Sequence, residues 1–596
     1  MSEGGATDPG VTTVAVPTTP PARSEQLSLK TKLAFGAHNI FVAGMGLVVA
    51  VYLGKFYIDV VLLPAGLYAL AVTLGRACDA IVDPFVGWVT DHTRTRFGRR
   101  KPWILLGVLT NAIVFYLMLT PPADLTPSGV MWWFLTCYVT SFLCISIVAV
   151  PRAALGAEVT LDARQRVSLF AYVALFLGIG GAFALAMGPA LRAFTQDQRE
   201  WMRIQTTIYV VGYVLMNLWF LRVVRERPEF MGRGETPFVP GVRRAMRNRS
   251  FVVMFTSHVI TAIPIAIPAT LVPFFVQYVL RVDNPDKWIG LFVAAFIAPG
   301  FIALPVWIWL ARRKGKLFVW LVNGCIGVTG GLALLSVGEG DTTLALVLLC
   351  YVGLQSGVWT VLGNAMHADV IDYDELQTGK RREAQFSALW SIIPKFATIP
   401  GAAIPLAILG GVGYVPNQSV QPDTVVLALQ LMFALVPAVF NAVGVAIMWW
   451  YPLSEENHRK IREGVARHAR GEDAEDPITG KLLPPPNRRA VDEDTAWFLD
   501  YFSRRELRAY VTRGASPLAS VWAWVSACTV VMGAAAAFAV AHVPGFERDP
   551  GPIPSLGFLV AVAALAGAIF HALRLRPATN MKVDPAIVQR HLDSVH

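Results

Sequence analysis

The stretch 75–103 reads GRACDAIVDPFVGWVTDHTRTRFGRRKPW, and the organisation of the whole chain follows from it. It begins inside an apolar segment, 66–88, that is long enough to cross a bilayer, and it ends in a run of Arg and Lys. Asp79 and Asp83 are four residues apart, so on a helix they share one face and are separated by roughly 6 Å along the axis. The pattern predicts two carboxylates inside a membrane-spanning helix.

Carboxylates at this depth need a stabilising partner. Each costs about 2.5 to 3.5 kcal/mol near the bilayer centre on insertion scales, and two like charges one turn apart repel each other. A cation or a shared proton between them would offset this cost, as would a basic side chain from another helix. Intramembrane ionisable residues indicate an ion or substrate pathway. The alternative is a hydrogen-bonded pair that serves helix packing alone.

The composition predicts an integral membrane protein. Of 596 residues, 55% are hydrophobic and only 15% are charged, and the mean hydropathy is +0.51. The net charge of +10 is therefore assigned to loops, and no nucleic-acid partner is predicted. The six cysteines lack CxxC or Cys/His spacing, so no metal and no cofactor is predicted. The expected partners are a small-molecule solute and the lipid bilayer, with no obligate protein partner.

Membrane-length segments fall into six, a basic linker, six more and a final pair. The predicted fold class is an all-α membrane protein of the two-half, six-plus-six type, with an extra C-terminal two-helix hairpin. The predicted organisation is a disordered cytoplasmic leader (1–29), a first half (30–224), a cytoplasmic linker (225–250), a second half (251–453), a cytoplasmic amphipathic segment (454–516), a transmembrane hairpin (517–576) and a cytoplasmic tail (577–596).

Basic residues predict the orientation. Lys and Arg concentrate after the even-numbered segments, which places both termini in the cytoplasm, and no signal peptide is predicted. A similar basic turn follows segments 2 and 8, which favours two parallel repeats of six helices. The expected location is a bacterial inner membrane.

Four stretches carry a family resemblance. They are DAIVDPFVGWVTDHTRTRFGRRKPW (79–103), VPRAALGAEVTLDARQR (150–166), ADVIDYDELQTGKRRE (368–383) and YPLSEENHRKI (451–461). In this order they resemble the glycoside-pentoside-hexuronide:cation symporters of the major facilitator superfamily, the branch that includes melibiose permease. The resemblance implies the major facilitator fold. It also implies a secondary active transporter, not an enzyme, that couples solute uptake, of a sugar or glycoside, to H⁺ or Na⁺ by alternating access.

The resemblance also implies a coupling site. Asp79 and Asp83 match the carboxylates of the family's cation site, Ser146 falls where helix 4 offers a hydroxyl, and Lys395 matches the helix 11 lysine. Lys395 also has a physical case, because it lies about nine residues into an apolar span and a buried ammonium needs a carboxylate partner. The alternative is a lysine that reaches the interface beside Trp390.

A cytoplasmic gate is the third feature that the resemblance implies. Asp91 with Arg99 and Arg100 matches the family's cytoplasmic latch, in which arginines pair with carboxylates. Asp369 and Asp372, at the end of segment 10, are expected to meet these arginines across the half interface. The alternatives are a topology signal for the arginines and a solvated helix end for the acids.

Departures from melibiose permease limit what can be said about the solute. Its charged sugar-binding positions fall at Ala149 and Ala174, and Val82 replaces a polar neighbour of its cation site. The lost oxygen ligand favours H⁺ over Na⁺. Other polar or aromatic residues are candidate substrate contacts, each with a packing role as the alternative: Arg152, Gln355, Asn364, His367 and Trp390.

Two further readings stay open. Animal members of the family that carry lysophospholipids keep the carboxylates and the lysine, so a lysophospholipid or another amphiphile is the second substrate class. A membrane enzyme is a different class, but no HExxH, GxSxG or Walker pattern is present. A channel is a weaker alternative, since no filter-like loop appears.

Overall fold

The computed structural model describes residues 27–93, 95, 97–159, 163–192, 194–224, 226, 238–358, 362–379, 383–485, 488, 493–543 and 551–594. This part of the chain is mainly helical, with fourteen long helices labelled α1 to α14 here. Shorter helices are named by their residue ranges.

The first six helices form one half of the molecule. Local signals set their starts: Ser28 caps the first helix by accepting from the Thr31 N–H, and Thr126 caps the fourth, which has Pro127 in its first turn. The first helix also contains π-helical turns. The six are α1 (Leu29–Val60), α2 (Ala65–His92), α3 (Lys101–Leu119), α4 (Pro127–Glu158), α5 (Ala163–Arg192) and α6 (Gln198–Val223).

A short linker helix, Phe238–Ala245, precedes the second half. Pro264 lies in a 3₁₀ turn that interrupts the first helix of this half. The six are α7 (Arg249–Val279), α8 (Pro285–Lys314), α9 (Lys316–Leu334), α10 (two segments, Thr342–Gly353 and Asn364–Thr378), α11 (Glu383–Gly411) and α12 (Asp423–Met448).

The break in α10 corrects the sequence analysis, which expected one continuous helix over 342–366. The first segment ends at Gly353, and Gly357 has φ +84°, a left-handed conformation that favours glycine. The Ser356 hydroxyl donates to backbone carbonyls of α8 and of its own turn. Gln355 therefore lies in the break rather than in a helix, and Asn364 begins the second segment instead of closing the first.

The two halves meet along three helix pairs. α2 packs against α11, α5 against α8, and the π-helical part of α1 against α7. Eleven helices are long and apolar enough to cross a membrane, and the exceptions among the fourteen are α2, α10 and α11. These three contain the carboxylate pair, the helix break and Lys395. The least apolar helices therefore carry the candidate site.

The chain continues beyond the two halves. Helix Glu455–Ala469 is followed by a two-stranded antiparallel pair, β1 (Ala474–Glu475) with β2 (Leu482–Leu483). The predicted helix 492–513 is instead two helices, Glu493–Leu499 and Arg504–Arg513, because a capping box of Ser503 and Glu506 starts the second. The remaining elements are α13 (Leu518–Ala541), α14 (Ile553–Ala572), Leu575–Thr579 and Pro585–Ser594.

Candidate functional site

Asp79, Asp83 and Lys395 are brought together where α2 meets α11. The Lys395 Nζ lies 2.5 Å from Asp83 Oδ2 and 3.5 Å from Asp79 Oδ2. One ammonium therefore bridges both carboxylates, which stand one helical turn apart as their spacing predicts. This ion pair joins the first half of the molecule to the second.

The surroundings of the pair are partly closed. Asp79 is 8% exposed, and its Oδ1 accepts a 3.1 Å hydrogen bond from the buried hydroxyl of Ser146 on α4. The side chain of Lys395 is 39% exposed, so the ammonium is accessible from one side. An ion can thus approach the carboxylates without unpacking the helices around them.

Arg76 is a residue of this site that the sequence analysis missed. It precedes Asp79 by one turn of α2, and its guanidinium hydrogen-bonds Tyr138 of α4 and lies 5.1 Å from the ring centroid of Phe142. The signal was available, because an arginine three residues before Asp79 is a third ionisable residue in one apolar span. Arg76 also interacts electrostatically with Asp79.

The charges of these four side chains decide what the site can do. With both aspartates ionised, Lys395 and Arg76 balance them, and the formal sum is zero. A proton on one carboxylate removes half of the anionic charge that binds the ammonium, and a metal cation competes with the ammonium directly. Either event weakens the contact between α2 and α11. Ion binding is therefore linked to the interface between the halves.

A second group of polar contacts joins the halves at the end of the bundle formed by the α1–α2, α7–α8 and α11–α12 connections, called the far end here. Asp59 of α1 is only 5% exposed, and its Oδ1 accepts a 2.7 Å hydrogen bond from the Tyr414 hydroxyl. The Asn417 side chain donates to the Asp59 carbonyl at 2.6 Å, and the hydroxyls of Tyr278 and Tyr414 are 3.0 Å apart. The halves are therefore in contact at the far end.

Lys55 adds to this far-end contact. Its ammonium donates to the Gln277 side chain of α7, lies 4.0 Å from Asp59 Oδ2 and is 5.8 Å from the ring centroid of Tyr278. The i,i+4 spacing of Lys55 and Asp59 was visible in the sequence. Their partners in the second half were not, because the pairing depends on how the halves pack.

The opposite end, where the α2–α3 and α8–α9 turns lie, is called the basic end. There the backbone N–H groups of Arg99 and Arg100 donate to the Glu226 carboxylate at 2.7 and 3.0 Å, and Lys101 does so at 2.7 Å. Glu226 follows α6, so these contacts stay within the first half. The side chain of Asp91 lies outside the described residues.

The expected pairing of Asp369 and Asp372 with Arg99 and Arg100 is absent from the contacts of the described residues. Asp369 instead binds Lys316 at 2.5 Å and lies 3.5 Å from His458, and Asp372 lies 3.0 Å from His458. These basic side chains belong to the second half and to the helix that follows it. The acids are therefore engaged locally in this conformation, which corrects the expected contact.

The candidate substrate residues do not converge on one cavity. Arg152 is buried, donates to the Asn217 side chain of α6 and lies 4.2 Å from the centroid of the Phe220 ring. Within the described part of the chain, its Nε and Nη1 have no hydrogen-bond partner. These contacts place Arg152 inside the first half, packed against α6.

The other candidates lie in the second half. The Trp390 ring stacks on His258 of α7 at 4.1 Å and on His367 at 5.2 Å between centroids. Gln355 faces Gly327 of α9, and Asn364 is exposed. Trp390 and His367 therefore form a stacked group beside α11, whereas Gln355 points towards a different helix pair.

Two six-helix halves joined by a charged pair define a secondary transporter of the major facilitator fold. Residues 34–455 match the family described as MFS/sugar transport protein, and the chain belongs to that family. The resemblance to the glycoside-pentoside-hexuronide:cation symporters is thereby confirmed.

Relatives and solved structures agree with this assignment. The chain is 27% identical over 451 residues to the glucuronide carrier protein homolog of Escherichia coli (strain K12), covering 74% of this chain and 95% of the relative. It is 24% identical over 503 residues to the sodium-dependent lysophosphatidylcholine symporter 1-A of Danio rerio, covering 78% and 92%. A crystal structure of the nucleoside transporter NupG aligns with a TM-score of 0.53 at 14% identity, covering 70% of this chain and 100% of that one, which shows the fold alone.

Proposed function

We propose that this transporter couples the uptake of a sugar or glycoside to an inward flow of cations, with Asp79, Asp83, Ser146 and Lys395 as the coupling site. The observation that supports the proposal is the Lys395 ammonium bridging both carboxylates between α2 and α11. A site that must release one partner when an ion arrives is suited to link ion binding to movement of the halves.

The proposed cycle starts from this conformation. By the charge rule for loops, the basic end faces the cytoplasm and the far end faces the outside of a bacterial inner membrane. The contacts of Asp59 and Tyr414 then close the outer side. Because coupling between two ligands is reciprocal, the cation should tighten solute binding and the solute should tighten cation binding.

H⁺ is the proposed coupling ion. The described oxygen atoms around the lysine are the two carboxylates and the Ser146 hydroxyl, which already donates to Asp79. Val82 supplies no further oxygen, whereas hard metal cations prefer several oxygen ligands. Two close carboxylates in an apolar bundle can instead share one proton. Na⁺ is the alternative ion.

The proposed substrate class is a sugar or glycoside, since the matching family is one of sugar transport proteins and one relative is named as a glucuronide carrier homolog. A lysophospholipid is the second candidate, because another relative is named as a lysophosphatidylcholine symporter. Counterflow of labelled glycosides, pentosides, hexuronates and lysolipids in vesicles separates these classes. Exchange of a lysolipid with no exchange of any sugar would overturn the first choice.

The coupling site is tested in proteoliposomes. Asp79→Asn, Asp83→Asn and the double variant keep the side-chain volume but remove charge. Uptake driven by an imposed pH gradient should be lost in the double variant, while exchange without a gradient can survive in one single variant. Undiminished accumulation in the double variant would exclude the coupling role. Accumulation that needs Na⁺ and ignores the pH gradient would exclude H⁺ alone.

A further inference from the structure

The family match ends at residue 455, yet the chain beyond it contacts both halves of the transporter. Nine consecutive residues of α2, 65–73, are buried. Because nine residues make two and a half helical turns, every face of this segment is covered. α4 of the first half, α11 of the second half and α14 of the extension all pack against α2.

α14 packs against these helices near the far end. Its buried residues include Pro554, Ser555 and Ala561, which all lie in the first half of the helix. Phe558 packs against the main apolar cluster, and Pro552 lies beside Gly411 at the end of α11, where an added Cβ would be 3.7 Å from the proline ring. α14 therefore touches one helix from each half at the end where the halves are closed.

The extension is also attached at the basic end. Asp500 is 1% exposed and binds two arginines of the linker that connects the halves, Arg244 and, at 2.6 Å, Arg247. Glu506 binds Arg574, which follows α14 and also donates to the Tyr501 carbonyl at 2.7 Å. The helices around Asp500 and the end of α14 are thus linked to each other and to the linker.

The packed segments share an apolar core of their own. Leu499, Phe502, Leu507 and Val521 form one buried cluster with Ala578, Met581 and Val588. The described residues 493–543 and 551–594 therefore act as one packed unit, called the extension here, rather than as separate tails.

We infer that the extension is a conformational regulator that stabilises the closed far end. Opening that end requires the far ends of α2 and α11 to separate, and α14 packs on both helices, so it must come away from at least one of them. Breaking this packing raises the free energy of the open state relative to the closed one. The extension should accordingly shift the transporter towards the state that is open at the basic end.

This inference rests on the alternating access of the proposed function, but not on the identity of the ion or the solute. Its readout is a distance measured without solute or gradient. Failure of the coupling variants would therefore leave it unaffected, and its own failure would leave the coupling site untouched.

The experiment uses spin labels at Asp124→Cys and Asp283→Cys, two exposed far-end positions in different halves, in the full chain without native cysteines. Distances are compared with those of a chain that ends at residue 492. A second comparison keeps the full chain: Ala561→Trp places bulk in the buried face of α14, and Leu556→Trp places it on the exposed face as the matched control.

The expected result is a longer-distance population that rises at least about fivefold in the shortened chain and in Ala561→Trp, but not in Leu556→Trp, fivefold being the lower end of usual coupling between sites. If the shortened chain does not elute as a single species, the two tryptophan variants decide the question. Unchanged distances in Ala561→Trp, or equal changes in both tryptophan variants, would overturn the inference.

Discussion

The Tyr414 hydroxyl donates a 2.7 Å hydrogen bond to Asp59 Oδ1 and so connects the turn after α11 with the end of α1. Asp59 is buried, and its carboxylate gains partners from the second half of the molecule only while the far end is closed. The bond is therefore a local measure of the conformation of the whole transporter.

Tyr414→Phe should favour opening of the far end. The change leaves a buried carboxylate with one donor fewer, which costs about 1 to 3 kcal/mol in the closed state. The readout is alkylation of Val51→Cys, a position in the part of α1 that packs on α7. Alkylation should be faster with Tyr414→Phe than with Tyr209→Phe, a buried change within the first half. Equal rates would show that the Tyr414 bond does not limit opening.

Lys395→Ala should abolish concentrative uptake. The two carboxylates would then lack their bridging cation, and breaking a buried ion pair costs about 3 to 5 kcal/mol, reduced here because Lys395 is partly exposed. Lys395→Arg should restore part of the uptake at best, because the planar guanidinium has a different shape. The measurement is the accumulation ratio under a pH gradient, with solute binding measured in parallel. A wild-type ratio in the alanine variant would exclude the role.

Arg76→Gln tests the balance of charges in the site. Removing this cation leaves two carboxylates with one counter-charge, so coupled uptake should fall. Arg76→Gln combined with Asp79→Asn restores the balance, and the pair should therefore be less harmful to folding than the sum of the single changes. Thermal unfolding of the four proteins gives the interaction free energy. Strict additivity would indicate that Arg76 serves Tyr138 alone.

Acid should loosen the extension. Burial alone would raise the pKa of Glu506, but hydrogen bonds from Arg574 and Ser503 outweigh it and lower the pKa from 4.5 to about 2. Since the folded-state pKa is depressed, the stabilising contribution is fully present above pH 4.5 and declines as the pH falls towards 2. Glu506→Gln should therefore speed proteolysis between 493 and 594 at pH 7, and the difference from wild type should shrink below pH 4.5. A difference that is constant with pH would contradict this.

Topology is tested with an impermeant thiol reagent on intact cells. Glu472→Cys, exposed after helix Glu455–Ala469, should stay unmodified because the basic end is predicted to be cytoplasmic. Leu62→Cys, exposed between α1 and α2, is the matched position at the far end and should react. Reaction of the first without the second would reverse the orientation.

Sequence patterns predicted the helices and the charged pair because both depend on local spacing and on the cost of charge in lipid. Asp79 and Asp83 share a face by helical periodicity, and Lys395 is too deep in its span to lack an anion. The break in α10 escaped prediction because a glycine such as Gly357 gives no sign of its φ angle. The partners of Asp369 and Asp59 escaped it because they depend on which end of the bundle is closed.

The bridge between Asp83 and Lys395 spans 312 residues of chain. At ordinary rates of synthesis, about 15 to 60 s separate the appearance of these two residues at the ribosome. During this interval α2 must reside in the membrane with its carboxylates but without the lysine. Arg76 is made together with them and is the counter-charge at hand, so the helix that later binds the driving ion carries its own provision for insertion. Arg76→Gln should then delay or reduce membrane integration of α2 even in a nascent chain that stops before α11.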